Sequence, residues 1–359
     1  MQDSGGILAT PTRRRTARPS SRAELAQSYP LSVVIPARNS RDTLRRCLAA
    51  LAGNDLTGVE VTVVDDASSD GTGSVAQEWT EGARVGLISL ESRSGPAGAR
   101  NKGLERAAHP HVLFLDCDVL LPARSIEWIR ETLDLYSHRP EVAGVLGIYA
   151  QEIPHRDFLS NYKNLYTRHL YLATDPLSPY IHTPVFCVQK DLLRSHGGFN
   201  ASRETGEDFQ LGVVLGSRGY RFVIDRRINA VHLKEYSFSG AMRENARRIQ
   251  DLTRLDLSRE ERAFSLRAHR WSRILSLAIP GPSLAIGLLA LRQPLYLIGL
   301  LLLLSLFGLA NLRFLQLCRR SRGWVFALQS AGFLFFEMLA AEYLTLRAYV
   351  RKWISEPRT

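Results

Sequence analysis

Between Leu31 and Tyr136, short apolar runs alternate with segments whose apolar residues recur at helical spacing. "LSVVIP" begins at Leu31, "VEVTVVDD" at Val59, "ARVGLISL" at Ala83 and "HVLFLDCDV" at His111, and each reads as a strand. Between them, "RDTLRRCLAALAG" carries Leu44, Leu48 and Leu51 on one helical face before a stop at Gly53, and "SSDGTGSVAQEW" opens behind polar caps. "GPAGARNKGLERAA" starts Gly-rich, and a fourth helix is predicted from Pro122 in "PARSIEWIRETLDLY". Strands alternating with helices predict an α/β domain built on a mostly parallel sheet with helices on both faces. From Glu141 to Gly240 the pattern is less regular. "EVAGVLGIYA" and "YIHTPVFCVQ" read as strands and "HRDFLSNYKNLYTRHLYLA" as a helix rich in Tyr, Arg and His. A helix is expected within "RETGEDFQLGVVLGSRGY", then two short strands, "RFVID" and "NAVHL".

The character of the chain changes near residue 274. Residues 274–291 and 295–312 are each 18 residues without a charge, long enough for a membrane span of roughly 17–25 residues, and predict a transmembrane hairpin. A third apolar segment, 324–346, carries Glu337 and Glu342 and is a candidate third span: either it crosses with its acids facing neighbouring helices, or it lies at the interface. Ahead of these segments, residues 238–262 form a strongly charged helix with Arg243, Arg247, Arg248 and Arg254, placed at the membrane surface or against the cleft. The expected organisation is a basic disordered arm (1–28), a catalytic domain (29–240), an amphipathic interfacial region (241–272), transmembrane helices (273–350) and a basic tail (351–359). An Arg-rich loop at 313–322 fits a cytoplasmic location if the large domain is cytoplasmic too, which predicts a multi-pass protein of the inner (cytoplasmic) membrane.

A net charge of +11 raises three classes of partner: nucleic acid, anionic lipid and acidic small molecules. There is no helix-turn-helix, zinc finger or RNA-binding aromatic motif, so nucleic acid is not expected. The basic arm, with Arg13, Arg14, Arg15, Arg18 and Arg22, lacks the apolar core of a signal peptide and suits a solvated tail or anionic headgroups. Four cysteines, Cys47, Cys117, Cys187 and Cys318, show neither disulfide density nor zinc spacing.

The candidate chemistry lies at strand ends. In open α/β sheets ligands bind outside the carboxyl ends of the strands. Asp65 and Asp66 end the second strand; Asp116 and Asp118 end the fourth. Four carboxylates gathered along one edge need a cation or hydrogen-bond donors to share them.

"VVIPARN", "VVDDASSDGT", "GPAGARNKGL", "FLDCDV", "GGFN" and "GEDFQLG" together resemble, in order and spacing, glycosyltransferase family 2 over about residues 30–248. The resemblance implies the Rossmann-like GT-A fold, followed here by transmembrane helices as in membrane-bound members. It also implies transfer of a sugar from a nucleotide donor. A divalent cation, Mg²⁺ or Mn²⁺, bridges the leaving diphosphate and offsets its charge. Asp118 matches the family's metal ligand, and Asp116 the acid near the ribose or the metal's water shell. Asp66, with Asp65 as second choice, matches the nucleoside pocket and weakly favours UDP. Pro36, Ala37, Arg38 and Asn39 match the loop that packs on the base, and Arg100 and Asn101 the segment lining the nucleotide site. Asp208 matches the general base of an inverting, in-line displacement, with Glu207 as its support. His232 is a further candidate ligand for the metal; His182 is read as structural.

The chain departs from the family in two places. The Gln-x-x-Arg-Trp motif of processive relatives is replaced by "MRENARRIQ", whose Arg243, Arg247 and Arg248 are candidates for phosphate or acceptor binding. The stretch "HTPVFCVQK" ahead of "GGF" also differs, which leaves the sugar open. The expected function is inverting, metal-dependent transfer from a nucleotide sugar to a lipid or lipid-linked glycan hydroxyl at the membrane. Its rivals are a polyprenyl-phosphate sugar synthase, a polysaccharide synthase and a nucleotide-sugar sensor or scaffold without turnover.

Overall fold

The computed structural model describes residues 21–80, 85–203, 205–253, 257–268 and 271–355. In chain order the elements are α1 (Arg22–Ser28), β1 (Leu31–Ala37), α2 (Arg41–Ala52), β2 (Val59–Asp65), α3 (Thr72–Thr80), β3 (Val85–Ser89), α4 (Gly95–Arg106), β4 (His111–Leu115), β5 (Val119–Leu120) and α5 (Ser125–Leu135). There follow β6 (Val142–Tyr149), α6 (Phe158–Leu172), β7 (Leu177–Ser178), β8 (Val185–Gln189), α7 (Lys190–Ser195), α8 (Glu207–Ser217) and β9 (Arg221–His232). The chain closes with α9 (Phe238–Thr253), α10 (Arg259–Ala268), α11 (Trp271–Ala278), α12 (Pro280–Ala290), α13 (Tyr296–Ala310) and α14 (Leu312–Ser355).

The strands form one mixed sheet in the order β3-β2-β1-β4-β8-β6-β9-β5, with β7 paired to β9. The first four are parallel, as the helical crossovers between them require. β8 then runs antiparallel to both β4 and β6, and β9 is parallel to β6. The two short strands expected at 221–233 are one twelve-residue strand, with a register irregularity against β6.

Strand alternation sorts the core onto both sheet faces. Val33 and Ile35 of β1 pack with Leu44 and Leu48 of α2 and Ile126 and Ile129 of α5. Val34, one residue out of phase, belongs to the opposite cluster with Phe114, Phe186, Leu104, Leu193 and Leu211. Each fully buried side chain of this size contributes about 1.5–3 kcal/mol relative to exposure. A third cluster joins Tyr162 and Leu165 of α6 to Phe314, Phe326 and Leu334 of α14, so the C-terminal region packs on the sheet domain.

Three further sequence expectations are corrected. The basic arm was expected to run to residue 28, but from Ser21 the chain is a capped helix. Ser21 and Glu24 form a reciprocal capping box, Leu25 and Ala26 are buried, and Arg22 pairs with Glu127 at 2.8 Å. The remainder of the arm, Arg13 to Arg18 included, lies outside the described residues, as do Arg254 and residues 356–359 of the tail. The expected span at 295–312 is a 15-residue helix, which at about 1.5 Å per residue falls short of a ~30 Å hydrocarbon core. Asn311 ends it: its side chain donates to Phe307 O and meets Ser276 Oγ, both at 2.9 Å. Among the described residues, the helices long and apolar enough to cross a membrane are Ser272–Ala290, which matches the expected first span, and Leu312–Ala348. The second is interrupted at Gly323, whose φ of 83° breaks helical geometry. The charged helix expected at 238–262 is divided between α9 and α10.

The two acids in the third apolar segment have partners. Glu337, 5% exposed, accepts hydrogen bonds from Tyr162 Oη (2.6 Å), Lys163 Nζ (2.5 Å) and Asn245 Nδ2 (2.6 Å). Glu342 Oε2 lies against Gly281 at the start of α12. Both acids face neighbouring helices.

Candidate functional site

A cavity of about 630 Å³ opens at the carboxyl end of β4, between the sheet, α6, α8, α9 and α14. It collects Asp116, Asp118, Glu207, Asp208, His232 and Arg248, which the sequence separates by up to 132 residues.

Asp116 and Asp118 lie on the turn between β4 and β5, held by main-chain bonds from Asp116 N to Pro184 O (3.2 Å) and from Leu233 N to Asp118 O (2.8 Å). The two acids have different surroundings. Burial and the neighbouring Asp118 push the Asp116 carboxyl above its usual range, although Arg100 opposes them. Burial also opposes charge on Asp118, but His232 and Lys234 outweigh it and hold that carboxyl below its usual range. Asp118 Oδ2 is 3.5 Å from His232 Nε2. The His232 ring stacks on Tyr149, with centroids 4.4 Å apart and planes 9° apart, which fixes its direction.

Arg100, buried in α4, ties the two halves of the site together. Its Nη2 is 2.8 Å from Asp116 Oδ1 and its Nη1 is 2.7 Å from Glu207 Oε1. Burial alone would favour the neutral guanidine; the two carboxylates overcome it and raise the pKa. Glu207 moves upward, through burial and the adjacent Asp208, against the pull of Arg100. Glu207 and Asp208 open α8, where the helix dipole favours acids, behind Gly206 in the left-handed conformation (φ 75°). The Asp208 side chain lines the cavity, with Oδ1 2.7 Å from the main-chain N–H of Phe209.

Several residues expected to bind the nucleotide make local contacts. Asp66 Oδ1 accepts from Ser94 N (2.5 Å) and Ser94 Oγ (3.0 Å), and its Oδ2 from Gly95 N (2.9 Å), fastening β2 to the start of α4. Asp65 Oδ1 accepts from Ser68 N at 3.2 Å. Both acids are buried, and neither lines the cavity. Asn101 holds Phe199 through both its main-chain groups, at 2.7 and 2.9 Å, and so fixes the Gly197-Gly198 turn. A Cβ on Gly198 would lie 2.6 Å from Asn101 Oδ1, so this clamp requires glycine. Pro36 and Ala37 end β1. Arg38 Nη1 donates to Asp66 O at 2.6 Å, and Asn39, with φ 46°, exchanges bonds with Ser68 and Ser69, so the 36–39 loop is laced to the 66–69 loop. Of the three arginines of α9, Arg248 lines the cavity; Arg243 and Arg247 are exposed and do not. His182 also lines the cavity, and burial and Arg248 push it down to about 3, leaving it neutral.

The residue types present fit a hard divalent cation: a carboxylate oxygen of Asp118 and an imidazole nitrogen of His232 lie 3.5 Å apart, in the cavity that Asp116 also lines. They form a looser set than His155, Asp157 and Glu235, whose ligand atoms all lie within 4.8 Å of one another among the described residues. Two of that second set are engaged locally. His155 Nε2 meets Leu233 O at 2.7 Å, and Asp157 caps α6 through Ser160 N at 2.8 Å.

Some of the site was not foreseen from sequence. Lys163 and Glu337 line the cavity as an ion pair, and Lys234 pairs with Glu244 at 2.7 Å. Glu337 was visible as an acid interrupting an apolar segment; its partners, more than 90 residues away, were not.

Comparison with known proteins places this geometry. Residues 32–197 match the model of Glycosyl transferase family 2. The chain is 38% identical over 89 residues to the putative teichuronic acid biosynthesis glycosyltransferase TuaG of Bacillus subtilis, covering 24% of this chain and 35% of that protein. It is 31% identical over 99 residues to the UDP-Glc:alpha-D-GlcNAc-diphosphoundecaprenol beta-1,3-glucosyltransferase WfgD of Escherichia coli, covering 28% and 39%. The chain thus spans about a third of the length of these curated relatives. Among solved structures, the mannosyltransferase PcManGT from Pyrobaculum calidifontis, in complex with GDP-Man and Mn²⁺, superposes with a TM-score of 0.52 at 20% identity, over 91% of this chain and 88% of that one. The shared architecture is the GT-A fold.

Proposed function

Since residues 32–197 match the model of glycosyl transferase family 2, we propose that the protein transfers a sugar, with inversion, from a nucleotide sugar to a hydroxyl of a lipid or lipid-linked glycan at the membrane. The observation that carries this reading is the single cavity in which Asp116 and Asp118 face Asp208 beneath α14, a helix long and apolar enough to span a bilayer. The name of the WfgD relative, a transferase from UDP-Glc to a diphosphoundecaprenol-linked sugar, favours UDP and a lipid-linked acceptor.

Asp208 accepts the proton of the acceptor hydroxyl as that oxygen attacks the anomeric carbon on the face opposite the leaving nucleotide, so one displacement inverts the centre. Glu207 and Arg100 are positioning residues: their ion pair fixes the start of α8, and with it Asp208, relative to Asp116. Asp118 and His232, with Asp116 beside them, would hold Mg²⁺ or Mn²⁺, which supplies charge compensation for the departing diphosphate when bound. Arg248 adds positive charge on the opposite wall. Residues 36–39 shape the nucleoside side through the loops that Asp65 and Asp66 anchor. The catalytic domain stands on the cytoplasmic face of the inner membrane, where nucleotide sugars are available.

The test is transfer on membranes containing the protein. Labelled sugar nucleotides are offered with Mn²⁺ or Mg²⁺, and the product is extracted into organic solvent. The reading predicts label in the organic phase, lost in Asp118→Ala, which mild acid releases from a lipid-phosphate-linked acceptor as a labelled oligosaccharide and not as the free labelled monosaccharide. Label confined to polymer would replace it with polysaccharide synthesis, and full activity of Asp208→Asn would favour a phosphate acceptor that needs no base.

A further inference from the structure

A second cavity, of about 740 Å³, lies between α6, α11, the end of α13 and α14. Tyr166, Leu170, Met338 and Ala341 line both this space and the one that holds Asp208, so the two adjoin across a shared wall of four side chains. The second cavity is chemically divided. Arg273 and Arg313 line it, no acidic residue does, and neither arginine forms an ion pair among the described residues. The rest of its lining is largely apolar. Ile274, Leu277 and Leu309 continue outward as exposed surface on the C-terminal helices, at 42%, 40% and 67% exposure.

We propose that this cavity binds the phosphate-bearing part of an amphiphilic acceptor, a lipid-phosphate-linked saccharide, with its hydrocarbon chain lying along α11 and α13. The inference rests on the proposed glycosyl transfer and narrows its acceptor. Two cations without acids select an anion, and apolar walls leading to exposed leucines select a hydrocarbon tail rather than a soluble phosphate. Arg273 and Arg313 line the second cavity and not the one containing Asp208, in which Arg100, Lys163 and Lys234 are paired with acids. A phosphate held there is therefore a tether and not the nucleophile. The reacting hydroxyl must lie further along the same molecule, on a sugar that reaches past Tyr166 and Leu170 to Asp208. This arrangement uses both the base and the arginines, whereas a lipid phosphate acting as nucleophile would need its phosphate beside Asp208.

The experiment is photocrosslinking of the full-length chain in maltoside detergent with a long-chain alkyl phosphate bearing a diazirine, mapped by mass spectrometry. Crosslinks are expected within 166–173 and 272–277, reduced at least fivefold in the Arg273→Gln/Arg313→Gln double variant. The diazirine alcohol without phosphate should not label these segments, and millimolar inorganic phosphate should not compete. Labelling elsewhere in the wild-type chain, equal labelling by the neutral alcohol, or unchanged labelling in the double variant would overturn the proposal. Full competition by inorganic phosphate would also overturn it, leaving a site for soluble phosphate. Nucleotide-sugar binding, measured in parallel, should be the same in wild type and variant. Absence of such binding in the wild type, with the crosslinks intact, would reject the transferase reading while leaving the lipid-phosphate site standing.

Discussion

Two pairs of aspartates end two parallel strands of the same sheet, and their environments are opposite. Asp65 and Asp66 are consecutive, buried and bonded to main-chain N–H groups and a serine hydroxyl. Asp116 and Asp118 are separated by Cys117, line a 630 Å³ cavity and face His232, Arg100 and Asp208. Position at a strand end therefore does not determine whether a carboxylate lines the cavity. What distinguishes the pairs is the supply of local donors. Beyond β2 the chain turns at Ala67, which has a positive φ, and the start of α4 lies alongside, so backbone N–H groups reach both acids. Beyond β4 the chain goes on to β5, and the partners of the Asp116 and Asp118 carboxylates are side chains from α4 and β9.

That contrast can be broken by substitution. The largest effect is expected at Asp118: Asp118→Asn should lower turnover about 1,000-fold in the transfer assay, with thermal stability little changed. Asp208→Asn should lower it by roughly 100- to 10,000-fold, with retained nucleotide-sugar binding by titration calorimetry. Arg100→Gln strands the buried Glu207 and the half-buried Asp116 and should cost about 3 kcal/mol in denaturant unfolding as well as activity, which separates it from both aspartates. Asp66→Asn should reverse the pattern of Asp118→Asn: a loss of about 1–3 kcal/mol in stability, with turnover within about fivefold of wild type. The smallest effect sharpens the same point away from the site. Asp225 is buried in β9 against Thr132 and Arg227; burial opposes its charge, but those hydrogen bonds outweigh it and hold the carboxyl below its usual range. A depressed carboxyl contributes stability that is present above its unfolded value of about 4 and is lost as pH falls through the lower folded value. Asp225→Asn should accordingly flatten the loss of stability below pH ~4, read from urea midpoints across pH.

The strand-helix alternation and the six motifs made the first half of the sheet and the acids of the cavity legible, because both depend on local periodicity and short spacing. Asp118, Asp208 and His232 line one cavity. The orientation of β8 was not legible, since an apolar run such as "VFCVQ" carries no sign of direction. Nor were the roles of Asp66 and Asn101, which depend on donors at Ser94, Gly95 and Phe199 that the sequence does not place beside them. In the C-terminal region hydropathy located the apolar helices but mistook which are long, because Asn311 ends α13 through a side-chain bond while Gly323 only interrupts α14. Glu337 announced an intramembrane or interfacial partner, but only the fold identifies Tyr162, Lys163 and Asn245.

The most direct test of the central claim is a side-by-side measurement of nucleotide-sugar turnover for wild type, Asp118→Asn and Asp66→Asn in the same membranes, normalised to folded protein. The account predicts a loss of about three orders of magnitude for Asp118→Asn and near wild-type turnover per folded molecule for Asp66→Asn. Equal losses in the two variants, or an active Asp118→Asn, would contradict the assignment of chemistry to the cavity beneath α14.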